Sequence, residues 1–291
     1  MHYLVVNPVA GRGRARLSYK TVQAFFENKG WPLSTFFTKH PKQATGYVKG
    51  LPHNATVLVL GGDGTLNEVA AACVNTERVL GVLPAGSGDD FAYALGIPRN
   101  NLAAALEVVE RNATRIIDMG SVNGQTFINA FGVGFDADVA YNLSDAPTFL
   151  KHKAAYYYTL LTTLRGLKCS PVTVMVDGAA VYQGPALLVA CQNGPRTGSS
   201  FLFAPEAQLD DGLLDIVVAG SLNRLETVAL VPQVAKGKHL NHPKVLVFKG
   251  RDVRLEWTRP KPGHMEGELL VPNTNFNICL QAQSLRILAP T

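Results

Sequence analysis

Cysteine is scarce and scattered. The 291 residues hold four, Cys73, Cys169, Cys191 and Cys279, with no CxxC pair and each in an apolar stretch. That argues against a disulfide framework and predicts buried free thiols in a reducing cytoplasm. Long hydrophobic runs are also missing. Nothing approaches the ~18 uninterrupted apolar residues of a membrane span, and residues 1–8 lack the basic n-region of a signal peptide. Any meeting with lipid is therefore expected to be peripheral, from the inner face of the membrane. Repeats and low-complexity tracts are absent. Charge of either sign is modest, 27 Lys+Arg against 22 Asp+Glu for a net +5. This slight excess favours an anionic surface or a nucleotide, and no nucleic-acid partner is expected.

What the chain does have is an ordinary core composition, 47% hydrophobic and 17% charged, and three glycine-rich turns. The central one is Gly61-Gly62-Asp63-Gly64-Thr65-Leu66-Asn67-Glu68. Before it, Ala55–Leu60 reads as a buried parallel strand; after it, Glu68–Val74 reads as a helix. Glycines there let backbone approach a ligand, and a helix N-terminus offers N–H groups to phosphate. An aspartate in that position needs a magnesium ion between itself and the phosphate. Taken alone, the block fits a plain βα turn with a capping aspartate equally well.

The neighbouring turns shift the balance. Tyr3–Val6 is a strand leading into Asn7-Pro8-Val9-Ala10-Gly11-Arg12-Gly13, which is neither a dinucleotide fingerprint nor a P-loop. Val79–Leu83 is a strand ending in Pro84-Ala85-Gly86-Ser87-Gly88-Asp89-Asp90. Helices are expected over Arg14–Glu27, Gln43–Lys49 and Leu102–Val109, and a further strand over Leu33–Thr38. Alternating strands and helices predict a parallel α/β sheet with its ligand at the strands' carboxyl ends, where all three turns fall. From about Val122 short β-type runs separated by turn residues predict a largely antiparallel β domain. One helix, Lys151–Leu167 with Tyr156, Tyr157 and Tyr158, interrupts it and is read as packing on a sheet rather than on a membrane. His239 and His242 read as surface residues, and Lys236, Lys238, Lys244 and Lys249 as a solvated basic stretch.

These motifs, with Asn129-Ala-Phe-Gly-Val-Gly-Phe-Asp-Ala137, Ala204-Pro-Glu-Ala-Gln-Leu-Asp-Asp-Gly-Leu-Leu-Asp215 and Glu266-Gly267-Glu268, stand in one order along the chain. In that order the chain resembles the diacylglycerol kinase catalytic-domain family, in particular its soluble bacterial lipid kinases. The resemblance implies a nucleotide-binding α/β domain over 1–121, rejoined by 284–291, and a β-sandwich acceptor domain over 122–283. It implies ATP and Mg2+ as cofactors and a diacylglycerol-like lipid as acceptor. Phosphatidylglycerol, a polyprenol or a sphingoid base stay open, as does a homodimer. By the same resemblance Asn7, Thr38, Gly61, Gly62, Asp63, Gly64, Thr65, Leu66, Asn67 and Ser87 hold the nucleotide. Asp63 and Asp90 act around the magnesium, and Glu266 is the general base with Glu268 beside it. A second, structural metal points to Gln208, Asp211 and Leu213, with a charge network through Arg12, Asp118 and Asp211.

Two residues depart from the family pattern. Asp89 stands where asparagine is usual, which leaves it to face solvent, add a metal ligand or weaken nucleotide binding. Glu266 stands where the base is aspartate, and it reaches about one methylene further. The rival readings are a NAD kinase, which uses a similar Gly-Gly-Asp-Gly turn, and a silent member that binds nucleotide or lipid without catalysis.

Overall fold

The computed structural model describes residues 1–142, 147, 150 and 153–290. In the N-terminal half, β1 (His2–Val6), β2 (Leu33–Phe37), β3 (Thr56–Gly61) and β4 (Val79–Pro84) run parallel in the order β2-β1-β3-β4. The Val/Leu runs of β1, β3 and β4 are buried on both faces, as a sheet covered by crossover helices demands, while β2 at the edge is only half-buried. The covers are α1 (Ala10–Lys29), α2 (Gln43–Lys49), α3 (Asp63–Cys73) and α5 (Leu102–Arg111), whose Val22, Phe26, Val48, Val69 and Val109 join Leu4, Leu58 and Leu80 in one core. A short α4 (Asp90–Ala94) follows β4, and β5 (Thr114–Val122) leads out of this half.

The C-terminal half is antiparallel. It contains β6 (Gln125–Phe127), β7 (Ala130–Gly134), β8 (Ser170–Val176), β9 (Ala179–Ala186), β10 (Leu188–Gln192), β11 (Leu214–Ala219), β12 (Val245–Gly250), β13 (Asp252–Met265) and β14 (Glu268–Leu288). Phe127, Phe131, Val174, Leu255, Trp257 and Phe276 form its inner core. On another face, α6 (Phe135–Asn142), α7 (Lys153–Thr163) and α8 (Arg224–Val234) cover Leu188, Val217 and Ala219. The two halves share one sheet. β14, 21 residues long, pairs with β13, then with β5, and at Arg286–Ile287 lies parallel to β4.

Several sequence expectations change in three dimensions. The central glycine block is not a loop before a helix: Gly62 is an extended N-cap and α3 begins at Asp63, where an acidic side chain suits the helix dipole. His239 is 3% exposed, its Nε2 lying 3.1 Å from the Phe203 carbonyl oxygen, so it belongs to the interior. Cys279 is exposed and Cys169 half-buried, against the expectation of buried thiols. The basic stretch is partly paired, Lys244 with Glu226 and Lys249 with two aspartates. The helix that carries the tyrosines packs inward through Leu160, followed by buried Leu164, with Tyr158 and Leu161 outward. Lys151 and the side chains of Tyr156 and Tyr157 lie outside the described residues.

Candidate active site

All three glycine-rich turns lie at the carboxyl ends of β1, β3 and β4. They touch: a side chain on Gly86 would come within 2.5 Å of the Gly62 Cα, and one on Gly11 would run into the Ala85 carbonyl oxygen, so the β4–α4 turn is in backbone contact with both of the others. They border a cleft of about 620 Å³ lined by Asn7, Thr38, Gly62, Gly64, Thr65, Ser87 and Glu268, among others. The α3 ladder begins at Leu66, whose N–H donates to the Gly62 carbonyl. The N–H groups of Asp63, Gly64 and Thr65 are thus the first-turn donors that an α-helix leaves without an intrahelical acceptor. Asn7 donates from Nδ2 to Thr65 Oγ1 at 2.9 Å, which links the first turn to α3.

Asp63 and Asp90 face each other across Gly88. A Cβ there would lie 2.8 Å from Asp63 Oδ2 and 3.3 Å from Asp90 Oδ2, so only glycine leaves the space between the carboxylates clear. Asp63 Oδ1 accepts from the Phe91 N–H at 3.2 Å, and its Oδ2 is turned to that space. Asp90 is buried, accepts the Ser199 N–H on Oδ2 at 2.8 Å, and pairs with Arg196 at 3.0 Å. Burial, and then the charge of Asp63, push the Asp90 carboxyl up to about 6. Arg196 in turn stacks over the Tyr93 ring.

Glu266 comes from the C-terminal half. It and Gly267 both have positive φ, 53° and 83°, and form a two-residue hairpin between the paired Met265 and Glu268. Its Oε1 accepts from the Asn129 N–H at 2.6 Å and the Ala130 N–H at 3.0 Å, which pins the long arm to the start of β7. Desolvation is the chief cause that lifts its carboxyl to about 8; the two N–H bonds oppose it, and the charges of Asp63 and Asp90 add to it. The extra methylene relative to aspartate is thus held at a fixed address. Glu268 is exposed at the cleft rim, its Oε1 near Gly64.

Other residues fall differently from expectation. Asn67 uses its amide to donate to the Thr126 carbonyl and accept from the Ile128 N–H, both at 3.1 Å, so it joins α3 to the β6–β7 segment. Leu66 is 3% exposed and sits in the core, and Gly61 is the end of β3. Asp89 does not face solvent; it is buried and closes its own loop by accepting the Gly86 N–H at 2.7 Å, with burial raising its carboxyl to about 6. Asp118 is fully buried and accepts from Gly212 and Gln283, and neither it nor Asp211 pairs with Arg12 among the described residues. At the expected second metal, Asp211 Oδ1 accepts from the Leu213 N–H, Gln208 is exposed, and the Lys249 ammonium lies 3.5 Å from Asp211 and 3.3 Å from Asp215. Sequence reasoning passed over Arg14, Arg99, Asn129, Arg196 and Ser199. Arg14 donates to the Gly86 carbonyl and Arg99 to the Ser87 carbonyl. Only Asn129 carried a signal, as the first residue of a glycine-bearing block; residues 196–199 have no periodicity to betray them.

The carboxylates fit a hard cation. Mg2+ is usually held by one or two carboxylates together with substrate phosphates, and here two converge on a gap that a Cβ would fill. Comparison with known proteins gives the family. Residues 2–122 match the model of the diacylglycerol kinase catalytic domain, and residues 129–289 match the YegS C-terminal NAD kinase β-sandwich-like domain. A Bacillus subtilis (strain 168) diacylglycerol kinase is 30% identical over 269 residues, 91% of this chain and 88% of that one. A Staphylococcus carnosus (strain TM300) diacylglycerol kinase is 28% identical over 91% of this chain and 87% of that one. Among solved structures, a diacylglycerol kinase from Bacillus anthracis str. Sterne superposes with a TM-score of 0.74 at 24% identity, covering 99% and 96% of the two chains. An Archaeoglobus fulgidus NAD kinase in complex with ATP shares the fold, with a TM-score of 0.55 at 12% identity over 99% and 93%.

Proposed function

The chain belongs to the diacylglycerol kinase catalytic-domain family, and from that premise we propose that it transfers the γ-phosphoryl group of ATP to a lipid hydroxyl. The observation that carries the reading is the convergence of Asp63, Asp90 and Glu266, from separate segments, beside a row of free helix N–H groups. Phosphoryl transfer asks for little else: phosphates held in place, charge offset, and a base at the acceptor oxygen. Gly62, Gly64, Thr65, Asn7 and Thr38 line the cleft that would take the nucleotide. Asp63 and Asp90 would hold Mg2+, which supplies charge neutralisation of the phosphates. Arg196 keeps Asp90 oriented, and Asn129 and Ala130 keep Glu266 oriented; a cation beside Asp63 and Asp90 would favour loss of the Glu266 proton, and the carboxylate so formed would take the acceptor proton.

A lipid acceptor is supported by what lies beside the Glu266 hairpin. A cleft of about 450 Å³ is lined by Phe135, Tyr141, Pro262, Leu269, Leu270 and Pro272, with Asp138 among them. Leu269 and Tyr141 are exposed at its mouth, and Val271, 86% exposed, stands close along β14. Phe135 also borders an apolar cavity of about 80 Å³ under α8. Such surfaces suit acyl chains better than a soluble dinucleotide, which favours the lipid reading over a NAD kinase. Among the described residues no helix is long and apolar enough to cross a membrane, so the acceptor would be met at the bilayer surface.

The deciding experiment follows labelled phosphate from ATP and Mg2+ into a panel of lipids in mixed micelles, beside Asp63→Ala. A labelled lipid that vanishes in the variant supports the kinase and names the acceptor. ATP binding with no labelled lipid would favour the silent-member reading, and label in NAD would favour the rival kinase.

A further inference from the structure

Strands β11 and β12 place Asp215 and Lys249 directly opposite one another in an antiparallel register. Asp215 is buried, with a side chain only 4% exposed, and burial works against its charge. Asp211 comes from the turn before β11; with one carboxylate oxygen held by the Leu213 N–H, the other faces the same ammonium. Glu206 adds a third negative charge near Asp215. A divalent ion among these residues would need several oxygens at roughly 2.0–2.6 Å. The Nζ of Lys249, 3.3 and 3.5 Å from the two carboxylates, takes up that place. Gln208 stays exposed, and among the described residues no three His, Cys, Asp or Glu side chains form a metal-holding group.

We propose that the Lys249 ammonium is the resident cation of the Asp211–Asp215 pair, a tethered charge in place of the structural divalent ion that the family resemblance implies. The turn it steadies is a joint between the two halves of the molecule. The Leu209 carbonyl accepts from the Asp118 N–H on β5, the Gly212 N–H donates to the Asp118 carboxylate, Arg251 Nε donates to the Gly212 carbonyl, and Asp210 pairs with Arg115. A cation bonded to the chain cannot be removed by a chelator. The joint therefore stays closed whatever the free magnesium, while the nucleotide site keeps its own magnesium demand. This inference does not depend on the identity of the acceptor.

The test uses the full chain with Asp63→Asn, which removes the Asp63 charge from the active-site cation position, and follows thermal unfolding without nucleotide. The midpoint of this parent should move by no more than about 1 °C between EDTA and millimolar MgCl2 or CaCl2. After gel filtration it should carry clearly less than one equivalent of either metal. Adding Lys249→Met should lower the midpoint by roughly 3–6 °C, and millimolar divalent cation should restore at least half of the loss. Lys249→Arg should melt near the parent. A parent that gains several degrees from magnesium or calcium, or retains one equivalent of metal, overturns the proposal. So does a Lys249→Met protein that melts like the parent and ignores both ions. Should Lys249→Met fail to fold, the parent's metal titration and Lys249→Arg decide alone.

Discussion

Replacing Glu266 by glutamine should make the protein more stable and nearly inactive at once. The glutamine carbonyl can accept the same two N–H groups, from Asn129 and Ala130, so the local geometry survives. What it removes is a negative charge held near Asp63 and Asp90. The carboxyl titrates near 4.5 when unperturbed and at about 8 in the folded protein, so between those values the native state binds more protons than the unfolded chain. Native stability therefore falls as pH rises through that window, by at most about 1.36 kcal/mol per pH unit. The side chain keeps some solvent contact, which discounts the total to about 2–3 kcal/mol, or roughly 4–10 °C in midpoint. Melting curves of wild type and Glu266→Gln without magnesium should coincide near pH 4.5, separate steadily, and reach full separation above pH 8. MgATP should narrow the gap, because its cation offsets the repulsion. Turnover should drop on the order of 10²–10⁴-fold, the range for loss of a general base. A glutamine variant that melts below wild type at pH 8, or a gap independent of pH, would refute the electrostatic reasoning. Retained turnover would refute the assignment of the base.

Three further outcomes follow from the same geometry. Gly88→Ala places a methyl 2.8 Å from Asp63 Oδ2 and should lower turnover about a hundredfold, with the midpoint little changed; a larger loss of stability than of rate would count against it. Asn67→Ala leaves the Thr126 carbonyl and Ile128 N–H unpaired and should cost about 1–3 kcal/mol in urea unfolding; no loss would mean that the bridge between α3 and the β6–β7 segment carries no energy. Asp63→Ala should lower the Asp90 carboxyl below its value of about 6 by removing a neighbouring charge, seen by carboxyl-carbon NMR; an unchanged value would mean that burial alone sets it.

The parallel strands and the three glycine-rich turns were legible because short apolar runs and glycines carry strong local constraints. The start of α3 was not, since Gly-Gly-Asp-Gly looks like a turn until Gly62 is seen to cap and Asp63 to open the first helical turn. Asp63, Asp90 and Glu266 could be marked along the chain, yet their convergence depends on the hairpin that swings Glu266 onto β7. Side chains whose place depends on distant partners were misjudged. His239 is inside because Phe203 offers a carbonyl. Lys249 looked solvated because nothing in one dimension sets it opposite Asp215. The bridge that Asn67 makes was equally hidden, because its partners lie about sixty residues ahead.

β14 has a bearing on how the molecule is made. Leu285, Ile287 and Leu288 belong to the core of the N-terminal half, and Arg286–Ile287 complete the pairing of β4. A ribosome that has finished the first 122 residues has therefore produced a sheet with an open inner edge. An unpaired edge of this kind invites wrong partners, and it stays open while nearly the whole C-terminal half is synthesised and must form the hairpin that delivers β14. The N-terminal half is finished last although it is made first. Nascent chains stalled before residue 285 should thus be protease-sensitive in both halves, and a separately expressed N-terminal half should aggregate unless a peptide spanning 284–290 is supplied.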